Sequence, residues 1–184
     1  MNITILLSSV RDNRLATSVL QKVKSLINNQ FTFTLVDPLE YQLPLLNLRY
    51  YEMKEPGDTF KQLHDIFENT DGFIIVSAEY NHGIPPALKN MLDHFGFEFN
   101  HKCCGIVTYS DGPIGGARCC EQLRMVCSTL GMPPIGLSPA WGLANKVGTE
   151  VGKSFESNFE SSFNKFLKEF IWYTEALIDK RNKN

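Results

Sequence analysis

The sequence lacks the signals that would place it in several specialised classes of protein. Its formal net charge is only -2 over 184 residues, which argues against a nucleic-acid groove or a polybasic membrane surface. No apolar run approaches a membrane span, and the apolar start at residues 1–8 has neither the basic front nor the small-residue cleavage site of a secretory signal. We therefore expect a cytoplasmic protein whose partners are small molecules, with no nucleic acid and no membrane among them.

The spacing of the cysteines indicates no metal-binding or redox chemistry. The five cysteines are odd in number, and four of them form adjacent pairs without the CxxC spacing of zinc and redox sites. This pattern disfavours a disulfide framework and offers no metal site. The better interpretation is a set of small, buried, apolar residues, namely Cys103, Cys104, Cys119, Cys120 and Cys127.

What the sequence does contain is a regular alternation of strands and helices. Short apolar runs predict five strands, at residues 2–7, 31–36, 72–77, 103–109 and between 134 and 140. Apolar residues at helical spacing predict the intervening helices, and an aromatic stripe from Phe155 to Leu177 predicts a long final helix packed on the sheet. Strands that alternate with helices pair in parallel. We predict a single α/β domain over residues 1–184, with helices on both faces of a sheet in the order 2-1-3-4-5.

The most informative segment follows the third predicted strand. Residues 78–90 form a polar, aromatic and glycine-bearing turn that leads into an apolar helix. Tyr80 offers a flat ring, while Asn81, His82 and Gly83 offer hydrogen-bond donors to a planar heterocycle. Glu79 and His82 could instead form an acid/base pair, but no nucleophile or metal cluster accompanies them in the sequence. We interpret this segment as a cofactor loop.

Two further turns should lie at the same edge of the sheet, because the carboxyl ends of parallel strands meet there. The turn at residues 8–14 has hydroxyls, two arginines and a following helix N-terminus, which suit a phosphate. It lacks the glycine fingerprint of dinucleotide binding and the Gly-Lys-Ser/Thr of a P-loop, which favours a terminal monophosphate. The turn at residues 110–116 is rich in glycine, so its backbone can approach a ligand closely. Each turn alone could be a plain surface connection, but their convergence favours a cofactor site.

These segments together resemble the NADPH-dependent FMN reductase family, the flavodoxin-like flavoproteins that include NAD(P)H:quinone and azo-dye reductases. The first turn is similar to the family's Gly-Ser-x-Arg, and the third to its Gly-Gly-x-Arg and Glu-Gln-Leu-Arg. The most specific match runs from Ala78 to Asp93 and is similar to Pro-Glu-Tyr-Asn followed by Pro-x-x-Leu-Lys-Asn-x-Leu-Asp. Ser8 replaces the usual glycine and Ala78 the usual proline. A serine would crowd the phosphate turn, and an alanine would loosen the cofactor loop.

The resemblance implies a flavodoxin-like three-layer sandwich that binds FMN and uses NADPH or NADH as co-substrate. It implies an enzyme that transfers hydride from NAD(P)H via FMN N5 to a small acceptor, such as a quinone, flavin, azo compound or metal oxyanion, with no catalytic residue and no metal. The alternative is an FMN-binding electron carrier or redox sensor without productive NAD(P)H turnover. A fold that has lost FMN through Ser8 and Ala78 is the least favoured interpretation. The residues that the resemblance assigns to FMN are Ser9, Arg11, Asn13, Arg14, Glu79, Tyr80, Asn81, His82, Gly83, Ser110, Asp111, Gly112 and Gly115.

The resemblance also implies a homodimer or homotetramer. The irregular stretch at residues 37–58, between the second strand and a helix predicted at residues 59–69, is unusually apolar for chain that faces solvent. We expect this stretch and the helix after Asn90 to wall the FMN site of a neighbouring subunit. A self-contained packed loop is the alternative.

Overall fold

The computed structural model describes residues 1–183 and contains one five-stranded sheet. Its strands are parallel and lie in the order β2-β1-β3-β4-β5. Their bounds are Asn2–Leu7 (β1), Thr32–Val36 (β2), Gly72–Ala78 (β3), Cys103–Tyr109 (β4) and Ala140–Trp141 (β5). The predicted fold class and strand order are confirmed.

Helices cover both faces of the sheet. The α-helices are Ala16–Ile27 (α1), Asp58–Glu68 (α2), Pro86–His94 (α3), Ala117–Thr129 (α4) and Glu150–Arg181 (α5), and short 3-10 helices occupy Tyr50–Glu52, Phe97–Phe99 and Ala144–Lys146. α1 and α5 share a core on one face that contains Val23 and Phe163. α2, α3 and α4 share a core on the other face that contains Phe67 and Leu92. The sheet and the helix layers on its two faces form the predicted three-layer sandwich. No helix within residues 1–183 is long and apolar enough to cross a membrane.

The burial of each strand follows its position in the sheet. Every residue of β3 and β4 is buried, which is typical of parallel strands covered on both faces. β2 lies at an edge, and its residues alternate. Phe33 and Leu35 pack toward the core under α1 and α5, while Thr32 and Thr34 are exposed.

Most of the predicted aromatic stripe forms the inner face of α5, whereas Tyr173 is exposed. Phe159, Phe163, Phe166 and Phe170 are all buried in the core that α5 shares with α1. Gly105 in β4 makes room for this stripe, because a Cβ atom added there would lie 2.5 Å from the Cζ atom of Phe166. The stripe is therefore a core feature that depends on a glycine in the facing strand.

The fifth strand is shorter and later than predicted, so the expected placement between residues 134 and 140 is wrong. β5 contains only Ala140 and Trp141, and the chain before it reaches β4 through a single bridge between Cys104 and Pro134. Pro134 and Pro139 lack the N–H group that a continuous ladder needs. The apolar run here therefore contacts β4 at isolated points and does not form a continuous ladder with it.

All five cysteines are buried and free. The Sγ atoms of Cys104 and Cys127 lie 3.5 Å apart between β4 and α4. Burial raises the pKa of Cys119 to about 11 and that of Cys103 to about 12. Such thiols stay protonated near neutral pH and are poor nucleophiles. The interpretation of the cysteines as small buried residues is confirmed.

Candidate functional site

A cleft of about 470 Å³ opens at the carboxyl ends of the central strands. Its walls are the turns that follow β1, β3 and β4, together with Asn145 of the 3-10 helix Ala144–Lys146. The winding of the chain reverses between β1 and β3, and doubly wound folds bind ligands at that position. The structure therefore brings the three turns together at one site.

Most of the residues assigned to FMN line this cleft, but four do not. The lining includes Ser9, Arg11, Asn13, Arg14, Glu79, Tyr80, Ser110, Asp111 and Gly112. The four assigned residues outside the lining are Asn81, His82, Gly83 and Gly115. The lining also contains residues to which the resemblance gave no role, namely Asp12, Leu15, Ala78, Tyr109 and Asn145.

The turn after β1 presents a cation beside a helix N-terminus. Arg11 is exposed, and its side chain forms no ion pair with any residue from 1 to 183. Its guanidinium carbon lies 5.7 Å from the ring centroid of Tyr80, within the range of a cation–π contact. The hydroxyl groups of Tyr80 and Ser9 are hydrogen-bonded to each other. α1 then begins at Ala16 with no acidic residue in its first turn. The turn therefore attracts an anionic group.

Arg14 is held differently from Arg11. Its guanidinium donates to both carboxylate oxygens of Asp37, at 2.6 Å for Oδ1, and also to the carbonyl oxygen of Ser9. The hydrogen bonds to Asp37 raise the pKa of Arg14. The positive charge of Arg14 is thus compensated inside the protein, by a carboxylate that is itself buried.

Residues 80–83 form a tight two-residue turn that presents Tyr80 to the cleft. The backbone N–H of Tyr80 donates to the carbonyl oxygen of Gly83 at 3.1 Å, and the N–H of Gly83 donates back to Tyr80 at 2.9 Å. Asn81 and His82 have φ angles of 48° and 64°, as a type I′ turn requires. Both are exposed at its tip. These residues shape the turn, and their direct contact with FMN stays a prediction.

Two side chains fasten this turn to α4. The Oε2 atom of Glu79 accepts a hydrogen bond from the backbone N–H of Cys119 at 2.9 Å. Cys119 lies in the first turn of α4, whose N-cap residue is Gly116 and has no side chain to serve as a cap. A carboxylate at that end satisfies a free N–H and interacts favourably with the helix dipole. Gln122 donates to the carbonyl oxygen of His82 at 3.0 Å. Glu79 thus acts as a structural anchor of the turn.

The turn after β4 forms another wall of the cleft. Asp111 and Gly112 line it, and the Ser110 hydroxyl donates to the carbonyl oxygen of Gly112 at 3.0 Å. Gly115 has a φ angle of 68°, and a Cβ atom added to it would lie 2.9 Å from the backbone nitrogen of Gly142. Gly115 therefore allows the turn to pack against the chain after β5.

Tyr109 lines the cleft, and its hydroxyl group is buried. The residue is 2% exposed, and its hydroxyl has no hydrogen-bond partner among residues 1–183. Burial raises the pKa of Tyr109, so the hydroxyl stays neutral. A buried hydroxyl without a partner is unfavourable, and a ligand that came within hydrogen-bond distance of it would relieve this cost. At the end of a buried strand Tyr109 is indistinguishable in sequence from a core aromatic, which is why sequence reasoning missed it.

Comparison with known proteins identifies the family of the chain. The sequence model of the NADPH-dependent FMN reductase family matches residues 1–146, which include all the residues that line the cleft. The chain belongs to the NADPH-dependent FMN reductase family. This membership confirms the predicted family and, with it, an oxidoreductase of the class that uses FMN and NAD(P)H. α5 lies outside the part of the chain that the family model matches.

Individual known proteins align with most of the chain. An NAD(P)H-dependent FMN reductase of Schizosaccharomyces pombe is 32% identical over 151 residues, which cover 75% of this chain and 71% of that protein. A 2-hydroxy-1,4-benzoquinone reductase of a Burkholderia species is 31% identical over 136 residues, which cover 71% of this chain and 72% of that protein. The structure of FerB, a flavoenzyme NAD(P)H:(acceptor) oxidoreductase of Paracoccus denitrificans, superimposes with a TM-score of 0.70 at 18% identity, covering 92% of this chain and 98% of FerB.

Proposed function

We propose that the protein binds FMN in the cleft after β1, β3 and β4, oxidises NAD(P)H, and passes the electrons to a small acceptor. Its membership of the FMN reductase family supports the reaction class. One observation carries the location of the site. Within residues 1–183, Arg11, which has no ion-pair partner, Leu15, which is the N-cap residue of α1, and Tyr109, whose hydroxyl has no hydrogen-bond partner, all line one cleft.

The residues of the cleft fit the chemistry of FMN. Arg11 and the first N–H groups of α1 suit a phosphate monoester. The Tyr80 ring offers a flat apolar surface, and the hydroxyl of Tyr109 offers a hydrogen bond to a polar atom of the ligand. The cleft volume of about 470 Å³ lies in the range of ordinary small-molecule sites. We propose that direct contacts come from Ser9, Arg11, Asn13, Tyr80, Tyr109, Ser110, Asp111 and Gly112.

FMN, when bound, supplies the redox chemistry by accepting a hydride from NAD(P)H and then reducing the acceptor. The residues of the chain bind and orient the reactants, because hydride transfer depends chiefly on distance and alignment. Glu79 serves this role indirectly, since it fixes the turn that carries Tyr80 to the N-terminus of α4. The proposal requires no proton-transfer residue.

We propose a quinone as the acceptor class. The name of the Burkholderia relative, a 2-hydroxy-1,4-benzoquinone reductase, supports this choice. A free flavin, an azo compound and a metal oxyanion are the other acceptors that the sequence resemblance suggests. The predicted cytoplasmic location and the predicted single domain over residues 1–184 stay predictions.

We further propose that the protein is a homodimer. An exposed apolar patch, called here the loop patch, consists of Leu45, Leu46, Leu48, Tyr51 and Phe97. The rings of Tyr51 and Phe97 lie 5.2 Å apart. Asn90 of α3 fixes the loop, because its side chain accepts from the N–H of Leu46 at 3.0 Å and donates to the carbonyl oxygen of Pro44 at 2.8 Å. An ordered apolar patch of this kind is typical of an interface.

The reaction is tested by the visible spectrum of the FMN-loaded protein under anaerobic conditions. We expect NADPH or NADH to bleach the flavin absorbance, and a benzoquinone to restore it over many turnovers. Bleaching without acceptor-dependent turnover would support the electron carrier instead. A protein that takes up no FMN would contradict both functions.

A further inference from the structure

We propose that Asp37 withholds Arg14 from the FMN phosphate, so that phosphate recognition in the described cleft relies on Arg11. In this arrangement Arg14 and Asp37 form a positioning pair that holds the turn after β1 in shape. The inference rests on the proposed function, because it concerns how the same cleft recognises FMN. It changes the role of Arg14, which the sequence resemblance assigns to the phosphate.

The geometry of Arg14 leaves it little freedom to reach a ligand. Its guanidinium group donates hydrogen bonds to both oxygens of the Asp37 carboxylate. One of the same two nitrogens also donates to the carbonyl oxygen of Ser9. The side chains of Arg14 and Asp37 are only 13% and 7% exposed. Movement of Arg14 toward a phosphate would break a bidentate pair and leave Asp37 buried without a countercharge, which is strongly unfavourable.

Asp37 cannot move together with Arg14 toward a bound phosphate, because hydrogen bonds fix the backbone around Asp37. The residue comes directly after β2, and its Oδ1 atom accepts a hydrogen bond from the N–H of Leu39 at 3.0 Å. Its carbonyl oxygen accepts another from the N–H of Glu40 at 2.9 Å. The pair therefore ties the carbonyl oxygen of Ser9, in the turn after β1, to the start of the loop after β2.

Arg11 has the opposite environment. Its side chain is exposed, contacts the Tyr80 ring at 5.7 Å, and has no carboxylate partner among residues 1–183. The charges of Arg14 and Asp37 cancel locally, whereas Asp12, Glu79 and Asp111 add negative charge to the lining of the cleft. A phosphate dianion is therefore attracted mainly by Arg11 and by the N-terminus of α1.

The test compares FMN with riboflavin, which has the same ring system but no phosphate. Dissociation constants are measured by flavin fluorescence quenching for the wild type, for Arg11→Met and for the double variant Arg14→Met/Asp37→Asn. We expect the wild type to prefer FMN. The FMN preference is the dissociation constant of riboflavin divided by that of FMN. Arg11→Met should reduce this ratio by roughly 10- to 100-fold, because a charge-assisted contact is lost. The double variant should keep this ratio within about threefold of the wild type, because it removes a pair with no net charge.

The proposed role of Arg14 and Asp37 in positioning the turn after β1 is tested by the affinity for both flavins. The double variant should bind both flavins more weakly, by a similar factor of about tenfold, because the Ser9 carbonyl loses its anchor. Thermal unfolding of the apoprotein identifies a temperature at which the variant is still folded, and the binding is measured there. A purely structural role would leave the affinity of the folded protein unchanged and would contradict the positioning role.

A loss of the FMN preference in the double variant as large as that in Arg11→Met would overturn the inference, because Arg14 would then be a phosphate ligand. If the wild type binds neither flavin, the proposed function fails, and this inference fails with it. If the wild type binds both flavins equally, FMN binding survives but phosphate recognition by Arg11 is refuted.

Discussion

The hydroxyl oxygen of Ser8 accepts a hydrogen bond from the backbone N–H of Ala78 at 2.9 Å. These two residues stand where the chain departs from the family pattern, with serine for glycine and alanine for proline. A glycine at position 8 would offer no side-chain acceptor, and a proline at position 78 would offer no N–H. The two departures therefore fit each other. Ser8 is fully buried and does not line the cleft, so its hydroxyl extends the link between β1 and β3 instead of crowding the phosphate turn.

The Ser8–Ala78 contact predicts coupled effects on stability. Ser8→Ala should lower the free energy of unfolding by about 1–2 kcal/mol, because it leaves the N–H of Ala78 without a partner. Ala78→Pro should also be destabilising, and Ser8→Gly/Ala78→Pro should cost less than the sum of Ser8→Gly and Ala78→Pro. Urea unfolding measures all of these values. Ser25→Ala is the control, because its hydroxyl is on an exposed face of α1. Strictly additive losses would contradict the coupling.

The fold was predictable because its signals are local. The unbroken apolar runs of β3 and β4 and the alternation of β2 between Phe33 and Thr34 each follow directly from how many faces of the strand are covered. β5 was misplaced because prolines can sit in an apolar run that resembles a strand while lacking the donors for one. Its true extent depends on which backbone groups of β4 remain free, which is a tertiary property.

The location of the site was predictable from the sequence, but the residues that pair with its charged side chains were not. The turn residues Ser9, Arg11 and Tyr80 were placed in the cleft by motif and topology alone. That Arg14 pairs with Asp37 could not be predicted, because these residues are 23 positions apart and meet only through the pairing of β1 with β2. Tyr109 was missed for a related reason, since only the packed structure shows that its hydroxyl lacks a partner.

Glu79 should stabilise the protein by capping α4. Glu79→Gln keeps the size of the side chain but removes the charge that faces the helix N-terminus. We expect the free energy of unfolding to fall by about 0.5–1 kcal/mol at neutral pH and low salt. Urea unfolding provides the measurement. Glu121→Gln is the matched control, because that carboxylate lies on α4 and is 73% exposed, and should change stability by less than about 0.5 kcal/mol. Equal losses in the two variants would argue against the capping role.

Tyr109→Phe should separate stability from ligand binding. The substitution removes a buried hydroxyl that has no partner within residues 1–183, so the apoprotein should be unchanged or stabilised by up to about 1 kcal/mol. Affinity for FMN should instead fall by roughly 3- to 10-fold, because the ligand loses a hydrogen bond. Fluorescence quenching and urea unfolding measure the two quantities. Tyr41→Phe, whose hydroxyl accepts from Gln62 at 3.4 Å outside this cleft, serves as the control. An unaltered FMN affinity in Tyr109→Phe would refute the contact.

Stability should decline at alkaline pH because the buried thiols resist ionisation. Burial raises the pKa of Cys119 from 9.0 to about 11, so between these values the unfolded chain releases a proton that the folded protein retains. The unfolded state then binds fewer protons, and the free energy of unfolding falls as pH rises, by at most about 1.4 kcal/mol per pH unit for each such thiol. Urea unfolding at pH 8, 9 and 10 under reducing conditions measures this slope. Cys119→Ala should make the slope shallower, and an unchanged slope would contradict the assignment.

The loop patch should hold the dimer together, and Phe97 is its sharpest test. Phe97 is 70% exposed and its ring lies against Tyr51, so Phe97→Glu places a charge in the proposed apolar interface with little effect on the isolated fold. We expect light scattering to report a dimer for the wild type and a monomer for Phe97→Glu at micromolar concentration. Trp172→Glu is the control, because Trp172 is a comparably exposed aromatic residue on α5, outside the patch. A wild-type monomer, or dissociation caused by Trp172→Glu but not by Phe97→Glu, would show that the patch has another role.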